Sequence, residues 1–272
     1  MKTHPTLKHS LLSLLAGCFL TVSTLVQASD PNVALEGYAK LLQASVKPNE
    51  LGTASEVDYA WLSSHQADLD EVTQAFSQVS EADFSKWSAD QQLSFLINAY
   101  NAFTLQLILT EYPDLESIKD LGSLFRSPWK KQFVQLLGQT RSLDDIEHSM
   151  IRGQFAEPRI HAAVNCASCG CPALLDQPFR AETLEQQLAQ SMTHFLADKD
   201  RNYFDESSNT LWLSPLFSWY GDDFEDEAGS VEDYAKDYAS SLGWTISARS
   251  KSPKIRFTEY DWQLNDLGRC AN

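Results

Sequence analysis

The sequence predicts a helix-rich α+β fold, a single globular domain over residues 29–272 with a small, mostly antiparallel sheet. Two observations carry this. Several long segments place apolar residues at helical spacing, and the apolar runs between and after them are only a few residues long, as short strands are. No Pro/Gly/Ser-rich linker, low-complexity tract or internal repeat divides the chain.

Residues 31–46 and 68–79 have helical apolar spacing, with a short extended stretch at Val57-Asp58-Tyr59 between them. The strongest helix runs over 89–111. Ser88 is placed to cap it with Gln91 three residues on, and Leu93, Ile97, Tyr100, Thr104, Leu107 and Ile108 form a buried stripe. Residues 133–143 read as a hairpin turning at Gly138-Gln139. Ser142 then caps a helix through Ile151, with Asp144 and Asp145 suited to its positive end. Residues 160–164 are short and apolar, so strand and helix both remain open. Residues 183–197 and 231–242 read as helices, and residues 211–213 and 254–260 as strands.

The N-terminus carries Lys2 and Lys8, then a mostly apolar run over 11–26, then Val26-Gln27-Ala28. This order is that of a secretory signal peptide, residues 1–28, cleaved after Ala28. The run is shorter than the roughly 20 residues a spanning helix needs, and no later segment comes closer, so no membrane span is expected. Leu15-Ala16-Gly17-Cys18 offers a second reading, a lipoprotein anchored through an acylated Cys18, against which stands the apolar character of the residues after Cys18. The expected location is periplasmic or secreted.

The formal charge is −16, and residues 1–28 contribute Lys2 and Lys8 but no acidic residue, so cleavage deepens it. Such a surface repels phosphate backbones and anionic lipid, which argues against nucleic acid as a partner. The acidic cluster Asp222-Asp223-Phe224-Glu225-Asp226-Glu227 reads as a solvated loop, because it lacks the central Gly and terminal Glu of a calcium loop.

The densest reactive segment is residues 159–172, which holds Arg159, His161, Asn165, Cys166, Cys169, Cys171 and Pro172. In an exported protein, cysteines default to disulfides, while a reactive thiol and a soft-metal site are the alternatives. Absent are a nucleotide-binding glycine loop, a His-Glu-x-x-His and a Gly-x-Ser-x-Gly, which removes most of the prior for those chemistries. No cofactor is implied.

Several blocks occur in one order: Phe95-Leu-Ile-Asn98-Ala-Tyr100-Asn101-Ala, Ser142-Leu-Asp144-Asp145-Ile-Glu147-His148, Arg159-Ile-His161, Cys166-Ala-Ser, Cys171-Pro172, and Leu213-Ser-Pro215-Leu-Phe217-Ser-Trp219-Tyr220-Gly221-Asp222-Asp223-Phe224. Together they resemble domain-of-unknown-function family 547 across about residues 80–240. The resemblance implies a pattern of important residues without a settled activity. Its cysteines match Cys166 and Cys171. Cys169 and Cys270 have no counterpart in it, which suggests additions bridged to each other, with Cys166 and Cys171 left as a second bridge or a thiol pair.

On this pattern the candidate catalytic residues are Cys166, His148, His161, Glu147 and Asn98. A thiol needs a base or positive charge to become thiolate. His148 is the preferred base: Asp144 sits four residues earlier on the same helical face, whereas His161 and Cys166 point to opposite faces of a strand and lie about 140° apart on a helix. Asn98 and Asn101 either brace the Cys segment or donate to a substrate carbonyl. Trp219-Tyr220-Gly221 reads as a packed corner. Two functional classes follow. One is thiol-dependent hydrolysis or acyl transfer on a small-molecule or peptide substrate. The other is binding, either of a soft metal or small thiol by the cysteines or as a non-catalytic interaction module.

Overall fold

In the computed structural model of the chain, residues 1, 30, 32, 34–123, 126–246 and 251–270 are described. The lysines, apolar run, Cys18 and Ala28 boundary of the expected signal peptide lie outside the described residues.

Helix α1 (Leu35–Ser45) buries Leu35, Tyr38, Leu41 and Leu42, the stripe expected of a helix lying on a core. Strand β1 (Val46–Pro48) pairs antiparallel with β2 (Ser55–Val57). The stretch read as extended ends at Val57. Asp58 accepts a hydrogen bond from the Trp61 backbone N–H (2.8 Å) and so starts α2 (Tyr59–Ser64), because a short carboxylate satisfies an orphan N–H of the first turn. Helices α3 (Gln66–Ser77) and α4 (Glu81–Phe84) follow.

Helix α5 (Ala89–Leu109) carries the expected capping box between Ser88 and Gln91. Every residue from Leu93 to Leu105 is buried, so this helix is enclosed by the core on all sides rather than along one stripe. The hairpin of β3 (Val134–Leu136) and β4 (Gln139–Arg141) turns at Leu137-Gly138, one residue before the expected position. Both turn residues have positive φ, 52° and 75°, as a two-residue hairpin loop requires.

Residues Asp145–Ile151 form a wide helical turn in which the Arg152 N–H bonds the Glu147 carbonyl five residues back (2.9 Å). Residues 160–164 are neither strand nor α-helix: Pro158–Ala162 is a tight turn of 3-10 type opened by a proline. Helix α6 (Leu184–Ala197) follows. A three-stranded sheet is built from β5 (Tyr203–Asp205), β6 (Thr210–Leu213) and, later, β7 (Lys254–Phe257), with β5–β6 antiparallel and β6–β7 parallel. The crossover between β6 and β7 contains α7 (Leu216–Trp219), α8 (Gly221–Ala228) and α9 (Val231–Leu242). The fold is α+β and helix-rich, and its strand pairs are mostly antiparallel.

Among the described residues, buried apolar side chains form two clusters, one around α5 and one joining α6, β6, α7, α8 and α9. The 158–164 segment lies at their seam, since Ala162 belongs to the second cluster and Ile160, Ala163 and Val164 to the first. The tail crosses the molecule from there: Leu264 is fully buried, the Tyr59 hydroxyl donates to Asn265 Oδ1 (3.0 Å), and Cys270 is bridged to Cys169. Among the described residues, no helix is long and apolar enough to cross a membrane.

Candidate active-site cleft

The seam opens into a cleft of about 180 Å³. Cys166, His148, His161, Glu147 and Asp144 line one part of it, and Trp129, Trp219, Tyr260 and Trp262 form an aromatic rim. Four of the five sequence candidates therefore share one concavity, the usual form of a small-molecule site.

The Cys segment is fixed by amides on and near α5. Asn101 donates to the Ala163 carbonyl (2.9 Å) and accepts the Asn165 N–H (2.8 Å). Asn165 in turn donates to the Pro172 carbonyl (2.9 Å) and accepts the Ala167 N–H (2.9 Å), tying the two ends of the loop together. Asn98 does not face the cleft. Its amide donates to the Phe179 carbonyl (2.7 Å) and accepts the Phe179 N–H (2.9 Å), so both polar atoms bind backbone outside the cleft.

Cys166 is bridged to Cys171, and Cys169 to Cys270. Cys166 is half-buried at the cleft wall while Cys171 is buried. The Cys171 sulfur faces the Cys166 backbone N–H (3.0 Å) and the Tyr260 hydroxyl (3.4 Å) as donors and lies 3.3 Å from the Ser168 hydroxyl. Burial pushes the Tyr260 hydroxyl up to about 12, so it keeps its proton near neutrality. Gly170 is required between the cysteines, because a Cβ there would meet the Asp261 carbonyl oxygen at 2.9 Å. With these sulfurs in bridges none is free as a thiolate ligand, and among the described residues no group of three or more His, Cys, Asp or Glu is arranged to hold a metal.

His161 is organised differently from the sequence expectation. Its Nε2 lies 2.7 Å from Asp223 Oδ2, and its ring stacks on Tyr220 with centroids 3.9 Å apart. A carboxylate only accepts, so Nε2 carries the hydrogen and Nδ1 the lone pair. Nδ1 is buried with no hydrogen-bond partner. Burial lowers the imidazole pKa against the opposing pull of Asp223, and the ring is neutral near pH 7. The Asp223 carboxyl is held far below the ordinary carboxylate range by His161 and by Arg152, which binds it in a fork (2.7 and 2.8 Å).

His148 is held differently. It contacts Asp144 at 3.7 Å, beyond hydrogen-bonding distance, and its Nδ1 lies 3.1 Å from Arg152 Nη1, whose guanidinium can only donate. The wide turn explains this, because residues four apart no longer align when the ladder closes on the fifth residue. Asp145, not Asp144, makes the cap with Ser142 (2.8 Å). Glu147 is buried and accepts the Tyr220 hydroxyl (2.7 Å), which orients the ring beneath His161.

The sequence reading missed Asp223, Tyr260 and Trp262. Asp223 lies on α8 rather than in a solvated loop, and the available signal was helical spacing: Tyr220, Asp223 and Phe224 share the face that meets His161. Trp219, read as part of a packed corner, is largely exposed on the rim.

A helix-rich α+β scaffold thus sets a half-buried, bridged cysteine and a carboxylate-bound histidine in one aromatic-lined cleft. Residues 84–196 match the family described as "Protein of unknown function, DUF547". The match includes Cys166, Cys171, His148, His161 and Glu147, while Asp223 and the Trp219-Tyr220 block lie beyond it. No curated protein and no solved structure matches the chain.

Proposed function

We propose that the protein is a thiol-dependent hydrolase or acyltransferase that acts on a small-molecule or peptide acyl compound, with Cys166 as nucleophile in its reduced form. The observation that carries this reading is the bare, buried Nδ1 of His161, whose other nitrogen is fixed on Asp223, in the cleft that Cys166 lines. A base of that kind takes the thiol proton, and the thiolate attacks an amide, ester or thioester carbonyl. Here His161 replaces His148 as base and Asp223 replaces Glu147 or Asp144 as orienter. Glu147 supports Tyr220, and Asn98 braces the fold.

The test uses protein reduced at Cys166–Cys171 and a panel of thioesters and activated amides. Acylation of Cys166, lost in Cys166→Ser and reduced by about a hundredfold or more in His161→Asn, is the expected result. Stoichiometric labelling that survives His161→Asn unchanged overturns the assignment of the base. Absence of any acyl-Cys166 across the panel overturns the reaction class.

We place the protein in an oxidising compartment, since two bridges persist in such surroundings and are rare in the cytosol. Export with removal of residues 1–28 is the route. Mass analysis of the mature protein tests it, and an N-terminal diacylglyceryl-Cys18 would establish the lipoprotein route instead.

A further inference from the structure

We propose that the Cys166–Cys171 bridge is a thiol–disulfide exchange site for a low-molecular-weight thiol, which enters the cleft, attacks Cys166 Sγ and expels Cys171 as thiolate. The proposal uses the cleft described above but does not depend on acyl chemistry there.

Three observations support it. Access is unequal: both cysteines line the cleft, but Cys166 is half-buried and Cys171 buried, so an incoming sulfur meets Cys166 more readily. The Ser168 and Tyr260 hydroxyls lie near both sulfurs, at 3.3 and 3.2 Å from Cys166 and 3.3 and 3.4 Å from Cys171, and the Cys166 backbone N–H (3.0 Å) adds to Cys171 a donor for the charge it carries on leaving. Donors of this kind lower a thiol's pKa and speed its departure. A base is available, because the buried Nδ1 of His161 has no partner and lies on a residue lining the same cleft.

The other bridge also joins a buried cysteine, Cys169, to a half-buried one, Cys270, but neither lines the cleft that holds His161. Cys169 is buried away from the cleft, and its sulfur lies 3.6 Å from the Leu264 carbonyl oxygen, an acceptor that disfavours a thiolate. A cleft of about 180 Å³ suits a small thiol better than a protein loop.

The exchange balances as follows. His161 takes the proton of R–SH, and R–S⁻ forms a bond to Cys166 Sγ. The Cys166–Cys171 bond breaks, and its electron pair leaves on Cys171 Sγ, which is then protonated. A second R–SH gives up its proton and attacks the R-group sulfur of the mixed disulfide, forming R–S–S–R and expelling Cys166 Sγ as a thiolate that takes up that proton. Two thiols are oxidised and one protein disulfide is reduced.

The experiment titrates the full oxidised chain with reduced glutathione, quenches with acid, and maps alkylated cysteines by mass spectrometry under native conditions. The expected result is selective opening of Cys166–Cys171 with Cys169–Cys270 intact, and a glutathione adduct on Cys166 at intermediate ratios. His161→Asn should slow opening by about tenfold or more at neutral pH. In Tyr260→Phe the Cys171 thiol should titrate at higher pH. Resistance of Cys166–Cys171 in the folded protein, its opening only together with Cys169–Cys270, an adduct on Cys171, or opening only by a protein dithiol would each overturn the proposal. Acyl labelling of the pre-reduced protein is read separately, so failure of exchange and failure of the acyl reading are distinguishable.

Discussion

At the scale of single residues, the Asp223–His161 contact is central to the proposed chemistry. Burial lowers the folded-state pKa of His161 below the ordinary value of about 6.5. As pH falls below about 6.5, the unfolded chain takes up a proton that the folded chain refuses, so stability falls with pH and levels off below the folded pKa. Urea midpoints compared between pH 7.5 and pH 5 should show this loss in the wild type and a smaller one in His161→Asn. Asp223 acts in the same sense as His161, but over a lower pH range. Its carboxyl is held down by His161 and Arg152, so its contribution is complete above the ordinary carboxylate range and disappears only in strong acid. Asp223→Ala should lower the thiol reactivity of Cys166 and also destabilise the fold, because it leaves the Arg152 fork and the His161 N–H without their acceptor.

At the scale of elements, α5 and the loop it braces separate packing from chemistry. Ile97→Ala should cost about 2–5 kcal/mol of unfolding free energy, since Ile97 is fully buried in the enclosed helix. Asn98→Ala should cost about 1–3 kcal/mol, by leaving the Phe179 carbonyl and N–H unpaired, with little change in Cys166 reactivity of the folded protein. Chemical denaturation with parallel alkylation kinetics checks both. The legible parts of the sequence were those governed by neighbours in the chain. The Ser88/Gln91 box and the apolar stripe located α5, and the short apolar runs located the hairpin and β6. What escaped depended on remote partners or on a subtle local count. Asp58 is a normal cap residue, yet its extended neighbours hid the start of α2. The wide turn at Asp145–Ile151 replaced the α-helical register that made His148 attractive, and Asp223 acquires its role only when α8 packs against the 158–162 turn.

At the scale of the whole molecule, the cleft is made by joining two clusters and then closing them with the tail. Tyr260 and Trp262 reach the rim from about ninety residues beyond Cys166, and the Cys169–Cys270 bridge holds that tail across 101 residues of sequence. Cys270→Ser should lower stability by about 2–5 kcal/mol in non-reducing denaturation, because the bridge restricts a long loop in the unfolded chain. The same variant should loosen Tyr260 and raise the pH at which Cys171 titrates once reduced.

The order in which the cysteines leave the ribosome or a translocation channel then matters. Cys166, Cys169 and Cys171 emerge together, and the partner of Cys169 arrives about a hundred residues later. In an oxidising lumen the three early sulfurs are already competent to pair, and two of the pairings open to them are wrong. Correct assembly requires that Cys169 wait, or that a mispaired intermediate be reshuffled after the C-terminal segment has entered. If mispairing occurs, yield in a host lacking a disulfide isomerase should fall, and the fall measures how often the early sulfurs choose the wrong partner.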